Sequence, residues 1–301
     1  MMDDQNRNLL LAMALSMLVI LVWFWFFPPE EPTPPLEPAT VTDSQPALEE
    51  SGTAAPQPSV GPSTGGTQSA AAALPEEAPR TPIETERLTG SISLQGGRID
   101  DLSLRDYRET LDPEADIVHV LNPSGELGAY YALYGWVPGG DLDFEDVPGA
   151  DTAWSLVSGE ELTQDTPITL AWDNGAGLRF ERTIAVDEDF LFTVRQSVTN
   201  TTAASVRLAP YGVVTRQGLP DDLKGFFILH EGAIGMYDGE LAETNYDGMT
   251  DLGADPLWGP SAQVVDVAEN GWLGFTDHYW MTALIPEPGT PFKAVKRISL
   301  R

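Results

Sequence analysis

His119, His230 and His278 are the only imidazoles in 301 residues, and no cysteine accompanies them. His230-Glu231 and Asp277-His278 are the only places where histidine neighbours a carboxylate. Such pairs suit general acid–base work, and large β-sandwiches include sugar-processing enzymes that combine the two groups. Adjacent residues on a strand point to opposite faces, however, which argues against either pair acting directly. Ordinary surface or core histidines are the better reading. Asp141, Asp143, Glu145 and Asp146 crowd together, but the EF-hand spacing of glycine and glutamate is absent. H-E-x-x-H does not occur, and the Gly-rich stretch 61–66, which includes Gly61-Pro62-Ser63-Thr64-Gly65, lies in a proline-rich linker rather than at a strand-to-helix turn. No catalytic, cofactor-binding or metal-ligating residue is therefore assigned, and no cofactor is expected. The aromatics say more. Tyr130, Tyr131, Tyr134 and Trp136 form one run and Tyr279-Trp280 another. They suit a groove for apolar peptide, with packing in a core as the stronger competing use.

Charge excludes other classes. Forty-six acidic residues against sixteen basic ones give a formal net charge of −30. Such a chain cannot neutralise a phosphate backbone, so nucleic acid is not an expected partner. It also disfavours close contact with anionic lipid along its surface. Without cysteine there is no disulfide scaffold, cysteine-ligated zinc or thiol nucleophile.

Leu9 to Phe27 carries no charge, and Ser16 is its only polar member. As a helix it spans roughly 28 Å, close to the hydrocarbon core of a bilayer. Trp23 and Trp25 stand where an interfacial aromatic belt anchors a helix, and Pro28-Pro29 ends it. A cleaved signal peptide would end in small residues, but here bulky aromatics lead into Pro-Pro-Glu-Glu. An uncleaved signal anchor is expected. Arg7 precedes the apolar run and no Lys or Arg follows until Arg80, so residues 1–8 are expected in the cytoplasm and the bulk outside it.

Residues 28–82 hold 13 of the 25 prolines, and no Phe, Trp or Tyr occurs from Pro28 through Asp106. Too little apolar surface is available there to offset chain entropy. A disordered tether over 28–87 is expected, with a root-mean-square span of roughly 40 Å. A chain beginning near Glu84 should then keep the whole fold.

From Leu88 the texture becomes short apolar alternations with turns between them. Ile92 and Leu94, then Gly96-Gly97, then Ile99, Leu102 and Leu104 read as a hairpin. Further strands are expected at 117–121, 129–136, 153–157, 168–172, 262–267, 272–275, 282–285 and 293–300. Phe180, Ile184 and Val186 share a strand face with Arg182 as the exception. Phe192, Val194 and Val198 alternate with Thr193, Arg195, Ser197 and Thr199. With Val206 and Leu208 opening a third strand, these read as a three-stranded antiparallel meander. A dozen or more strands without a sustained helical period make residues 88–301 an all-β domain, a large antiparallel sandwich.

Asp4-Gln5-Asn6-Arg7-Asn8-Leu9 running into an apolar helix resembles the start of the Gram-negative YidC membrane protein insertases. The order that follows, proline-rich tether and then a large β domain, is similar too. Gly96-Gly97-Arg98-Ile99 resembles the Gly-Gly near that domain's start, and residues 271–286, GWLGFTDHYWMTALIP, resemble its most recognisable segment. Asn270 stands where the family usually has Gly, and His278 where Lys is common. The resemblance implies a super-β-sandwich similar to sugar mutarotases, used without sugar chemistry. It implies an inner-membrane location, nascent membrane proteins as clients, and work alone or with components of the Sec translocon. It also implies five further membrane helices with an arginine in a hydrophilic groove. No apolar run after Phe27 approaches eighteen residues, so an N-terminal portion is expected, with a C-terminally incomplete sandwich and no groove residue to carry over. A membrane-tethered binding module and a tethered carbohydrate-active enzyme remain the alternatives.

Overall fold

The computed structural model describes residues 78–220, 223 and 229–299. The expected anchor with Trp23 and Trp25, and the tether up to residue 77, lie outside them. Among the described residues no helix is long and apolar enough to cross a membrane.

Among the described residues sixteen strands build the domain. The first sheet has the order β1-β2-β3-β5-β10, with β4 added to β3. Its members are β1 (Arg80–Glu84), β2 (Leu88–Ser93), β3 (Arg98–Arg108), β4 (Ile117–Leu121), β5 (Tyr130–Gly139) and β10 (Arg207–Arg216). The second sheet is the meander β6 (Ser155–Ser158), β7 (Ile168–Asp173), β8 (Leu178–Val186) and β9 (Phe192–Asn200). All pairings within both sheets are antiparallel. One core joins them, with Ile83, Leu88, Ile92 and Ile99 from the first sheet packed with Ile168, Leu170, Phe180 and Ile184 from the second. The expected all-β sandwich is what the chain forms.

The hairpin β8–β9 shows how the sequence specifies it. Residues of β8 alternate buried and half-buried along its whole length, with Leu178, Phe180, Arg182, Ile184 and Val186 inward. The Asp187 carboxylate accepts the N–H groups of Asp189 and Leu191, both at 2.9 Å, and closes the turn. Phe190 takes a left-handed φ of 68° there.

Two expectations need correction. The meander does not continue into β10, which pairs along its whole length with β5 in the opposite sheet. The connection after Asn200 is too long for a tight hairpin and is held by its own bonds, Asn200 Nδ2 donating to Ala204 O at 2.8 Å. The domain also begins before residue 88. Thr81 and Ile83 of β1 are buried, and β1 pairs with β2 along its length. Glu84 N–H donates to Leu162 O, and Leu162 N–H to Pro82 O, both at 2.9 Å. The absence of aromatics hid this strand, because its apolar contribution rests on one isoleucine and a buried threonine.

A third sheet has the order β12-β11-β14-β15, formed by β11 (Gly232–Tyr237), β12 (Glu240–Asn245), β14 (Gly271–Thr276) and β15 (Met281–Leu284). One short helix, α1 (Tyr246–Thr250), follows β12, its first turn capped by the Asn245 side chain. A ribbon of β13 (Ala262–Val267) and β16 (Phe292–Arg297) completes the described residues.

Candidate functional site

Two buried polar clusters tie the sheets together, and each contains residues that the sequence marks out. The first centres on Arg182. An inward position on an apolar strand face forces its guanidinium into the sandwich, where it is wholly buried. Nη1 donates to Gly96 O at 3.1 Å and Gly97 O at 2.9 Å, and Nη2 donates to Tyr134 O at 2.5 Å. The cation also lies 4.5 Å from the centre of the Trp154 ring. Three carbonyls and an indole thus take the place of a carboxylate, and burial pushes the group down to about 10, still protonated at neutral pH. The Gly96-Gly97 turn is shaped to this ligand. Both glycines have positive φ, 74° and 62°, and a Cβ on Gly97 would lie 2.4 Å from Arg182 Nη1.

The second cluster centres on Asp277, just past β14. Its carboxylate pairs with Arg216 at the end of β10 and accepts the Tyr246 hydroxyl of α1 at 2.7 Å. Arg216 stacks 4.7 Å from the centre of the Tyr130 ring, and the Tyr130 hydroxyl shares a hydrogen bond with Thr282 of β15. Phe275 fills the space between Tyr130 and Tyr246, with ring centroids 6.3 Å from each. Both Arg216 and Asp277 side chains are largely shielded from solvent. First and third sheets are therefore joined by one ion pair and the polar and aromatic groups around it.

Burial raises Tyr130 to about 12, and burial with the Asp277 bond raises Tyr246. Tyr134, Tyr211 and Tyr237 are raised by burial as well. Each ionises near pH 10 when unfolded and later when folded, so the stability it contributes is intact below pH 10 and lost as pH rises above it. Arg182 and Lys296, both lowered by burial, act with the opposite sign but are outnumbered by the five tyrosines. The melting temperature should fall between about pH 10 and 12, and Tyr130→Phe should make that fall shallower by up to one proton, about 1.4 kcal/mol per pH unit. A pH series of circular dichroism melts checks this.

The six aromatics do not form one groove. Tyr130 and Tyr131 are buried on opposite faces of β5, Tyr130 in the main core and Tyr131 with Ala129 and Leu133. Tyr134 and Trp136 are half-buried against the main core. Trp280 meets Tyr107 edge to face at 5.1 Å, and Tyr279 is 76% exposed. Each histidine has contacts of its own. His119 Nε2 lies 3.5 Å from Asp101 at the surface, His230 contacts Ala233 O, and His278 packs against Tyr279. Asp277 turns to Arg216 and Tyr246 rather than to its neighbour His278. Of the acidic cluster, Asp143 and Asp146 cap a short 3₁₀ turn, Asp146 Oδ2 accepting Asp143 N–H at 2.8 Å. Among the described residues no three His, Asp or Glu side chains gather as a metal site.

The YidC periplasmic domain family matches residues 80–299, the same span over which the sheets are built. The chain belongs to the YidC family. A membrane protein insertase YidC of Dinoroseobacter shibae is 54% identical over 298 residues, covering 98% of this chain and 49% of that protein. Those of Roseobacter denitrificans and Ruegeria pomeroyi are 53% and 51% identical, over 95% and 100% of this chain and 47% and 50% of their own lengths. The chain spans about half the length of the curated relatives it matches. Two of the segments that carry the resemblance, Gly96-Gly97 and 271–286, meet Arg182 and supply Asp277. In this YidC domain they do structural work between sheets. Arg182 was legible as a lone cation on an apolar face, whereas nothing local in sequence pairs Asp277 with Arg216.

Proposed function

We propose that this chain supplies the anchor and the periplasmic domain of a membrane protein insertase, which assists inner-membrane proteins to insert and fold, alone or with the Sec translocon. The observation that carries this is the YidC match over the whole described domain, together with relatives of that name at more than half identity. In this reading residues 1–8 are cytoplasmic, Leu9–Phe27 crosses the inner membrane once, and the β domain stands in the periplasm on its tether. Clients and translocon components are its partners. Its part is non-enzymatic, in keeping with the insertase name that its relatives carry. Insertion itself needs a polar path through lipid, and Ser16 is the only polar side chain of the apolar run.

Cells depleted of their own insertase test this. Residues 1–301 alone should fail to restore growth. The same residues joined to the C-terminal half of the Dinoroseobacter shibae relative should restore growth and client insertion. Rescue by residues 1–301 alone, or failure of a stably expressed chimera, would refute the proposal.

A further inference from the structure

We infer that the outer face of the sheet β12-β11-β14-β15 is a docking surface for a cationic, apolar segment of another polypeptide. Register places Leu241, Met236 and Trp272 side by side across three strands, and Ile285 follows β15 at the same level. The next level holds Glu243, Ile234, Gly274 and Ala283, and Met281 stands beyond it. Leu241, Met281 and Ile285 are 57%, 48% and 60% exposed. The sheet's other face is used inside the domain: Ala233 is buried, Phe275 packs on the main core, and Val267 and Phe292 of the ribbon close over Gly271. Solvent faces elsewhere are polar, as with Thr193, Arg195, Ser197 and Thr199 on β9. An apolar outer face is thus specific to this sheet among the two compared, and such faces mark interaction sites.

Charge selects the occupant. Residues 229–292 contain eleven carboxylates and no Lys or Arg. Four of these, Asp238, Glu240, Glu269 and Glu287, gather at the end of the sheet where Leu241 and Ile285 lie, and all four are exposed. Asp238 accepts the N–H groups of Ala268, Glu269 and Asn270 at 2.8, 2.9 and 3.2 Å, which holds its carboxyl below the usual range and keeps it charged. Apolar rows ending in an acidic rim fit a segment with apolar residues flanked by Lys or Arg. A net charge of −30 opposes a second copy and an anionic bilayer as occupants. The partner's chemistry follows from the sheet, whatever task the whole protein performs.

The test uses the full chain in phosphatidylcholine nanodiscs, with empty nanodiscs as blank. The probes are a short fluorescent leucine–phenylalanine peptide flanked by lysines and its glutamate-flanked twin. The lysine peptide should bind the chain more tightly than its twin. Leu241→Glu and Met281→Glu should weaken it roughly tenfold or more, and Leu191→Glu, exposed at the β8–β9 turn, should not. Glu243→Lys, at another exposed site, should weaken the lysine peptide and strengthen its twin, an exchange that misfolding cannot mimic. Equal binding of the twins, or indifference to the face variants, would overturn the inference. So would self-association relieved by Leu241→Glu, or loss of peptide binding in the chimera, where the chain's own continuation would be the occupant.

Discussion

Arg182→Ala is expected to lower the melting temperature of the domain by roughly 10 °C or more. The guanidinium is the donor for three carbonyls, Gly96 O and Gly97 O of the β2–β3 turn and Tyr134 O of β5, and so ties the first sheet to the second. Its removal leaves them facing a cavity that Gly97 lines without a side chain. Buried carbonyls without donors cost about 1–3 kcal/mol each, and a large-to-small core change costs about 2–5 kcal/mol. Together they exceed what a mesophilic domain can readily lose. Arg182→Met separates the two effects, since it refills most of the volume and restores no donor. It should recover part of the loss and not all. Gly97→Ala should be destabilising in the native chain through both its positive φ and its contact with Nη1. Circular dichroism melts of the four proteins measure this, and a Met variant as stable as the native protein would show that the hydrogen bonds contribute nothing.

Removal of β1 is the second large effect. A chain beginning at Ala78 should melt like the full chain, whereas one beginning at Glu84 should lose cooperative melting or roughly 5 kcal/mol of stability. Ile83 is fully buried and Thr81 nearly so. Without β1, Leu162 N–H loses Pro82 O and the β2 edge is left open. Asp100, buried at 1% exposure, also loses its ion pair with Arg80 and keeps only Arg98. Denaturant titration of the two truncated chains decides this, and equal midpoints would return the start of the domain to residue 88.

Much of the fold is legible in local pattern. The period-two alternation along β8 and β9, and the Asp187-Glu188-Asp189 turn, place that hairpin to within a residue or two. The strands at 117–121 and 262–267 have the expected bounds. What local pattern cannot carry is partner choice. β10 has the composition of a third meander strand, yet its register is set by Tyr211 lying over Gly135 of β5, two residues far apart in sequence. The aromatic run 130–136 packs into cores, the stronger of the two uses its composition suggests, rather than lining one groove. A run on one strand divides between two faces, so Tyr130 and Tyr131 serve different clusters. His278 drew attention to its neighbour Asp277, but the carboxylate's partners stand on β10 and α1, beyond any sequence window.

The claim that segment 271–286 acts as a joint between sheets rests on Arg216 and Asp277, and a double-mutant cycle measures it. Arg216→Ala, Asp277→Ala and the double variant are compared by denaturant unfolding. Each single change strands one shielded charge, so each should cost more than the double change beyond the first, with a coupling of roughly 2 kcal/mol or more. Additivity within about 0.5 kcal/mol would contradict the joint and leave the pair as two independent side chains.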